Sequence, residues 1–178
     1  MITPGKYLFL ASIIAALSIS CESPTSIQNK PAQVAFIDFE EDAELNNWNL
    51  GSKWGHTSFD TETKFAGKRS IHFSPDSGCY VIDRKTGINV QSGKKYSITF
   101  NTIVNDPQVG KRTYCAGQFI LTIKQGNEEI LYASVFDAPD WEEKTFYFLP
   151  KNDLPVNLNL IIGDDVWIDD ISIVREIQ

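Results

Sequence analysis

Two groups of acids have a spacing that suits chemistry. Glu40, Asp42 and Glu44 form an E-x-D-x-E run, which on a strand puts three carboxylates on one face. A retaining glycoside hydrolase needs two such groups about 5–5.5 Å apart, one as nucleophile and one as acid. The second group is Asp169-Asp170, inside Val166-Trp167-Ile168-Asp169-Asp170-Ile171-Ser172-Ile173. Apolar residues at 166 and 168, then at 171 and 173, change parity at the acids, which predicts a β-bulge. Carboxylates beside a sheet need compensation from a cation, a basic partner or a bank of backbone N–H groups.

The first group makes a poor active site. A strand carrying it would need bulky apolar residues between the acids, and the sequence supplies Glu41 and Ala43. Leu45-Asn46-Asn47 then follows like a turn, so a solvated loop after the first strand is expected. Only His56 and His72 are present, and His72 alternates with Ile71 and Phe73 as a polar-face residue. There is no zinc spacing, phosphate-binding glycine loop or nucleophile elbow, and no catalytic residue is assigned. Calcium is the better use for the acids, since it gathers six to eight oxygens from distant parts of a chain. Asp38 and Glu40 leave the first strand, Asp169 and Asp170 lie in the last, and terminal strands of a sandwich often run side by side.

The elements that must position these residues are almost all strands. Val34 to Phe39, Ser70 to Phe73, Cys79 to Asp83, Tyr96 to Phe100 and Phe119 to Ile123 alternate with period two. Ile130 to Phe136, Thr145 to Phe148, Leu154 to Leu160 and the Asp169-Asp170 strand continue the series. Turn signals recur at Gly51, Ala66-Gly67-Lys68, Ser92-Gly93-Lys94, Gly126-Asn127 and Gly163-Asp164-Asp165. Eight or nine short strands without a sustained helical period predict an all-β fold, a single β-sandwich or jelly roll spanning 33–178. Trp48, Trp141 and Trp167 are assigned to its core.

Of the 178 residues, 42% are hydrophobic, enough for one self-sufficient domain. The formal net charge is −7, with no basic run, which argues against nucleic acid and anionic membrane surfaces as partners. A neutral ligand or a cation suits such a surface better. At the N-terminus Lys6 precedes an uncharged run from Tyr7 to Ile19, too short for a comfortable membrane span but suited to a signal peptide over 1–20. Leu17-Ser18-Ile19-Ser20-Cys21 resembles a bacterial lipobox, with Leu17 one position further from the cysteine than is usual. Cys21 is then the lipidated first residue of an envelope protein, and the alternative is a secreted protein with a free thiol. Removing Lys6 with the leader lowers the net charge by one, to −8. Residues 21–32, rich in Pro, Ser and Thr, read as a flexible tether. Cys79 and Cys115 remain for a disulfide, permitted in an oxidising compartment, or for two small buried hydrophobes.

Six pieces in order give a family likeness: Asp38-Phe39-Glu40, Trp48, Ala66-Gly67-Lys68-Arg69-Ser70, Gly93-Lys94-Lys95-Tyr96, Asp140-Trp141-Glu142 and Ile168-Asp169-Asp170-Ile171. Across 34–174 the chain resembles carbohydrate-binding modules of the galactose-binding-like jelly-roll type. The resemblance implies a structural calcium held by Glu40, the carbonyl of Lys68, and Asp169 or Asp170. It also implies a glycan, a polysaccharide or oligosaccharide, on a sheet face. A sugar ring needs an aromatic surface for its C–H face and amides for its hydroxyls. Tyr80, Tyr114, Gln118, Asn157 and Asn159, on strands whose other parity is apolar, are the candidates, with Trp54 in a glycine-flanked loop. A non-catalytic glycan-binding lipoprotein of the cell envelope is the leading expectation. A structural or protein-interaction module is the alternative, and a hydrolase or lyase a distant third.

Overall fold

The computed structural model describes residues 31–50, 55–75, 79–105, 118–136 and 138–177. Among them, eleven strands, against the eight or nine expected, form two antiparallel sheets, the sandwich that the alternation predicts. The first sheet contains β1 (Ala32–Ile37), β3 (Gly55–Asp60), β4 (Ser70–Pro75), β6 (Tyr96–Asn105), β9 (Ala138–Phe148) and β11 (Asp165–Arg175). The second runs in the order β2 (Trp48–Leu50), β5 (Tyr80–Arg84), β10 (Val156–Ile162), β7 (Gln118–Gln125) and β8 (Glu128–Phe136). β2 and β3 were not expected from the alternation, and β10 starts two residues after Leu154. Pro155 has no N–H for a ladder bond, and the chain enters the sheet just beyond it.

The two sheets meet through alternate residues of their strands, with the inward parity of β11 switching at its bulge. Ile71 and Phe73, Ile98 and Phe100, and Val166 and Ile168 face Phe119 and Leu121, and Leu158 and Leu160, all essentially buried. Phe100 and Phe119 join the layers edge to face, with centroids 5.5 Å apart. Trp48 is buried at one end against Phe39. Trp167 and Trp141 are not core residues. Val166 and Ile168 take the inward parity of β11, so Trp167 lies half-buried on the outer face, stacked on His72 at 4.0 Å. Trp141 packs edge-on against the exposed Phe65.

β11 is the central strand, and the expected bulge is real. Its pairing with β6 shifts register between Asp169 and Ser172, and Asp170 has φ 51°. The bulge marks a change of partner. On its other edge β11 pairs with β4 from 166 to 168 and with β1 from 171 to 175. The terminal strands are therefore neighbours, and Asp169-Asp170 sits at the seam where β4 gives way to β1.

Candidate functional site

Three segments meet at this seam: the end of β1, the loop 61–69 before β4, and the bulge. Asp169 is 1% exposed, and its Oδ2 accepts the N–H groups of Phe65 and Ala66 at 3.2 and 3.1 Å. Glu40 Oε1 accepts from Lys68 N–H at 2.8 Å and Arg69 N–H at 3.4 Å. Arg69 ties the other side, donating to Phe39 O, Glu40 O and Asp42 Oδ1 while its guanidinium lies 3.6 Å over the Phe59 ring. Phe39, with φ 56°, turns the chain between Asp38 and Glu40. Two non-glycine residues in the left-handed region, one on each side of the seam, are strain that the surrounding bonds must hold.

The E-x-D-x-E row does not form. Asp42–Asn47 is a 3-10 helix, where period two no longer aligns side chains. Glu44 accepts from the Trp48 indole and the Asn47 amide, and Glu40 and Asp42 are committed to the loop and to Arg69.

Electrostatics at the seam are strained as well. Burial, then the negative charge of Asp170, pushes the Asp169 carboxyl up to about 6 against the N–H bonds that lower it. Asp170 is raised by burial and by the charges of Asp38 and Glu40. Hard anionic oxygens are what calcium takes, so the donor types fit the ion in chemistry, although backbone N–H groups already occupy oxygens of Asp169 and Glu40. Among the described residues, no three such side chains converge on one point. The Lys68 carbonyl accepts from Lys64 Nζ, and it is the Lys68 amide that meets Glu40.

A second concentration of polar groups lies on the outer face of the five-stranded sheet. There Asn159 stands level with Asp83 and Thr122, Asp83 with Asn49, and Thr122 with Tyr132. Partners across an antiparallel ladder share a face, so this row runs across all five strands. Tyr132 and Phe136 on β8 and Val81 on β5 are each more than half exposed. An open cavity of about 330 Å³ is lined by Asn49, Asp83, Arg84, Lys85, Lys124, Gly126, Asn157 and Asn159. Asn49 Nδ2 donates to Asp83 Oδ2 at 2.6 Å, and Asn159 Nδ2 to the Thr122 hydroxyl at 3.4 Å. Below it, the buried Gln125 fixes 151–154 through both ends of its amide.

Of the expected glycan contacts, Asn157 and Asn159 line this cavity together. Gln118 stands opposite Phe136 in the ladder, on the parity of Thr122. Tyr80 stands opposite Ile162, on the parity of Ile82 and not of Asp83. Trp54, Tyr114, Cys21 and Cys115 lie outside the described residues. Cys79 is disulfide-bonded, so the buried-hydrophobe alternative falls for it. Tyr132, Phe136, Asn49 and Lys124 were missed, although Tyr132 and Phe136 share the outward parity of a strand that the alternation identifies.

No family model matches the sequence, and no curated protein does. Solved structures share the fold. The xylan-binding CBM22-1 domain of Paenibacillus barcinonensis Xyn10C is 12% identical with a TM-score of 0.59, covering 82% of this chain and 95% of that one. The CBM22-1–GH10 modules of Clostridium thermocellum Xyn10B, complexed with xylohexaose, are 18% identical with a TM-score of 0.59. That match covers 82% of this chain and 29% of the other. A CBM6 module of Cellvibrio mixtus lichenase 5A, in complex with cellotriose, is 11% identical with a TM-score of 0.56, covering 83% of this chain and all of that one. The chain has the jelly-roll sandwich fold of carbohydrate-binding modules.

Proposed function

We propose that the chain is a non-catalytic carbohydrate-binding protein that takes a glycan across the outer face of the five-stranded sheet. The observation that carries this is one face holding a cavity with three asparagines and the exposed Tyr132, level with Asn159 through Thr122, with Phe136 further along β8. Aromatic surface meets the C–H face of a sugar, and the amides meet its hydroxyls. Solved modules of the same fold include a xylan-binding domain and complexes with xylohexaose and cellotriose. The polar lining argues against the protein-interaction alternative, which would want an apolar patch here. Affinity gels with a panel of polysaccharides test the reading. Retardation by at least one is expected, with a loss of about tenfold or more for Tyr132→Ala and Asn159→Ala, worth about 1.4 kcal/mol each. No retardation by any polymer would remove the proposal.

The location proposed is the bacterial cell envelope, through a lipid on Cys21 and a tether over 21–32. Labelling with a radioactive fatty acid, abolished by Cys21→Ala, is the check.

Calcium is proposed to bridge the seam, with Glu40 and one of Asp169 or Asp170 as the carboxylates that would hold it. A carboxylate raised in the folded state keeps its proton to a higher pH than in the unfolded chain. The stability it contributes is full below about 4 and is lost as pH rises through about 6. A shift of that size is worth about 3 kcal/mol. In chelator, the melting temperature should therefore fall between pH 4 and 6, and Asp169→Asn should flatten that slope. Millimolar calcium should restore stability at neutral pH. Asp60 does not blur the window. Burial raises it, but the Thr63 and Glu62 N–H groups and the Trp167 indole bring it down to about 2, so its contribution is lost only below about 4. A melting temperature unmoved by calcium would overturn the calcium proposal and leave glycan binding untouched.

A further inference from the structure

We infer that the cavity takes an anionic sugar residue, carrying a carboxylate or sulfate ester, seated against Lys124 and Lys85; this rests on the glycan reading above. The chain as a whole is acidic, at −7, yet this cavity is lined by two ammonium groups and one carboxylate. The carboxylate, Asp83, keeps its charge, since its 2.6 Å partner is the neutral Asn49 amide, so two ammonium groups stand against one carboxylate. Lys85 Nζ donates only to a neutral group, the Asn46 carbonyl at 2.8 Å, so its charge stays uncompensated. Lys124 makes no ion pair or hydrogen bond through its side chain among the described residues, although Glu129 opposes it across a ladder irregularity. Lys64, like Lys85, meets only carbonyls, and Lys95 lies over the Tyr147 ring. Lys144 and Lys151 each pair with a carboxylate, Glu142 and Glu128. Arg84, also at the cavity, has Glu44 at 3.7 Å and is left out of the count.

A net-acidic protein repels polyanions at long range, so an acidic glycan is retained only where local charge reverses the sign. Two lysines against the one carboxylate of the lining leave the cavity itself one charge positive, with Glu129 facing Lys124 from the neighbouring strand. Lysine acts here as a point charge, and the site is open, so it accepts carboxylate and sulfate alike.

The test is retardation of the full chain in gels containing neutral arabinoxylan, polygalacturonate or dextran sulfate, at low and high salt. Binding to an anionic polymer at least tenfold tighter than to the neutral one is expected. It should weaken with salt and fall at least tenfold in Lys124→Met and Lys85→Met, with unchanged melting temperatures. The anionic polymer that is held identifies carboxylate or sulfate as the group. Equal binding of neutral and anionic polymers, or anionic binding indifferent to both substitutions, would overturn the inference while leaving glycan binding standing. Binding of none would remove both.

Discussion

Gly67→Ala should lower stability by about 2 kcal/mol, more than its backbone conformation alone costs. Gly67 has φ +60°, where an alanine costs about 1 kcal/mol, and a Cβ there would lie 2.0 Å from Glu40 Oε1. The carboxylate must leave, and with it go its bonds to the Lys68 and Arg69 N–H groups. For a domain of this size the melting temperature should drop by about 6 °C. Gly126→Ala is the internal control. Its φ is +62° but nothing lies within 4 Å of a Cβ, so only the backbone cost of about 1 kcal/mol applies. Equal losses in the two variants would mean that the Glu40 cradle holds nothing. A cycle with Glu40→Ala separates the parts: Gly67→Ala should cost far less once the carboxylate is gone.

Arg69→Ala should cost about 3 kcal/mol, with a fall of about 9 °C in melting temperature. Its side chain is 17% exposed and serves Phe39 O, Glu40 O and Asp42 Oδ1 at once, over the Phe59 ring. Removal strands two carbonyls at a turn where Phe39 holds a positive φ. Arg69→Lys should recover less than half, because one ammonium cannot span three oxygens from a fork of N–H groups. The loss also takes a positive charge from the turn that carries Glu40 into the seam. If calcium binds at the seam, Arg69→Ala should gain more from added calcium than the parent does. A loss under 1 kcal/mol, as for an exposed surface pair, would contradict this role.

Much of the fold was legible because burial writes itself as alternation. Leu158 and Leu160 between Asn157 and Asn159 placed β10 and told which face the amides share. The parity change at Asp169-Asp170 foretold the bulge for the same reason. Other features leave no such trace. Trp167 is apolar in composition, yet its parity is set by Val166 and Ile168, so counting hydrophobicity misplaces it. Arg69 acts on oxygens about thirty residues away, and the seam depends on β11 changing partner, which only topology reveals. Net charge misled most at the cavity. A global −7 suggested a neutral ligand or a cation, while Lys85 and Lys124 sit where β5 and β7 flank β10 and make that patch the exception. Tyr132 was passed over because it lies on β8 at the edge of the sheet, away from the amides in sequence but level with them across the ladder.

The most direct measurement is a ¹H–¹⁵N correlation spectrum followed during titration with an oligosaccharide taken from whichever polymer the gels retain. Shifts are expected to concentrate on Asn49, Asp83, Lys124, Tyr132, Asn157 and Asn159, side-chain amides included. Shifts centred instead on the His72–Trp167 face of the other sheet, or none at saturating oligosaccharide, would contradict a binding site on the five-stranded sheet.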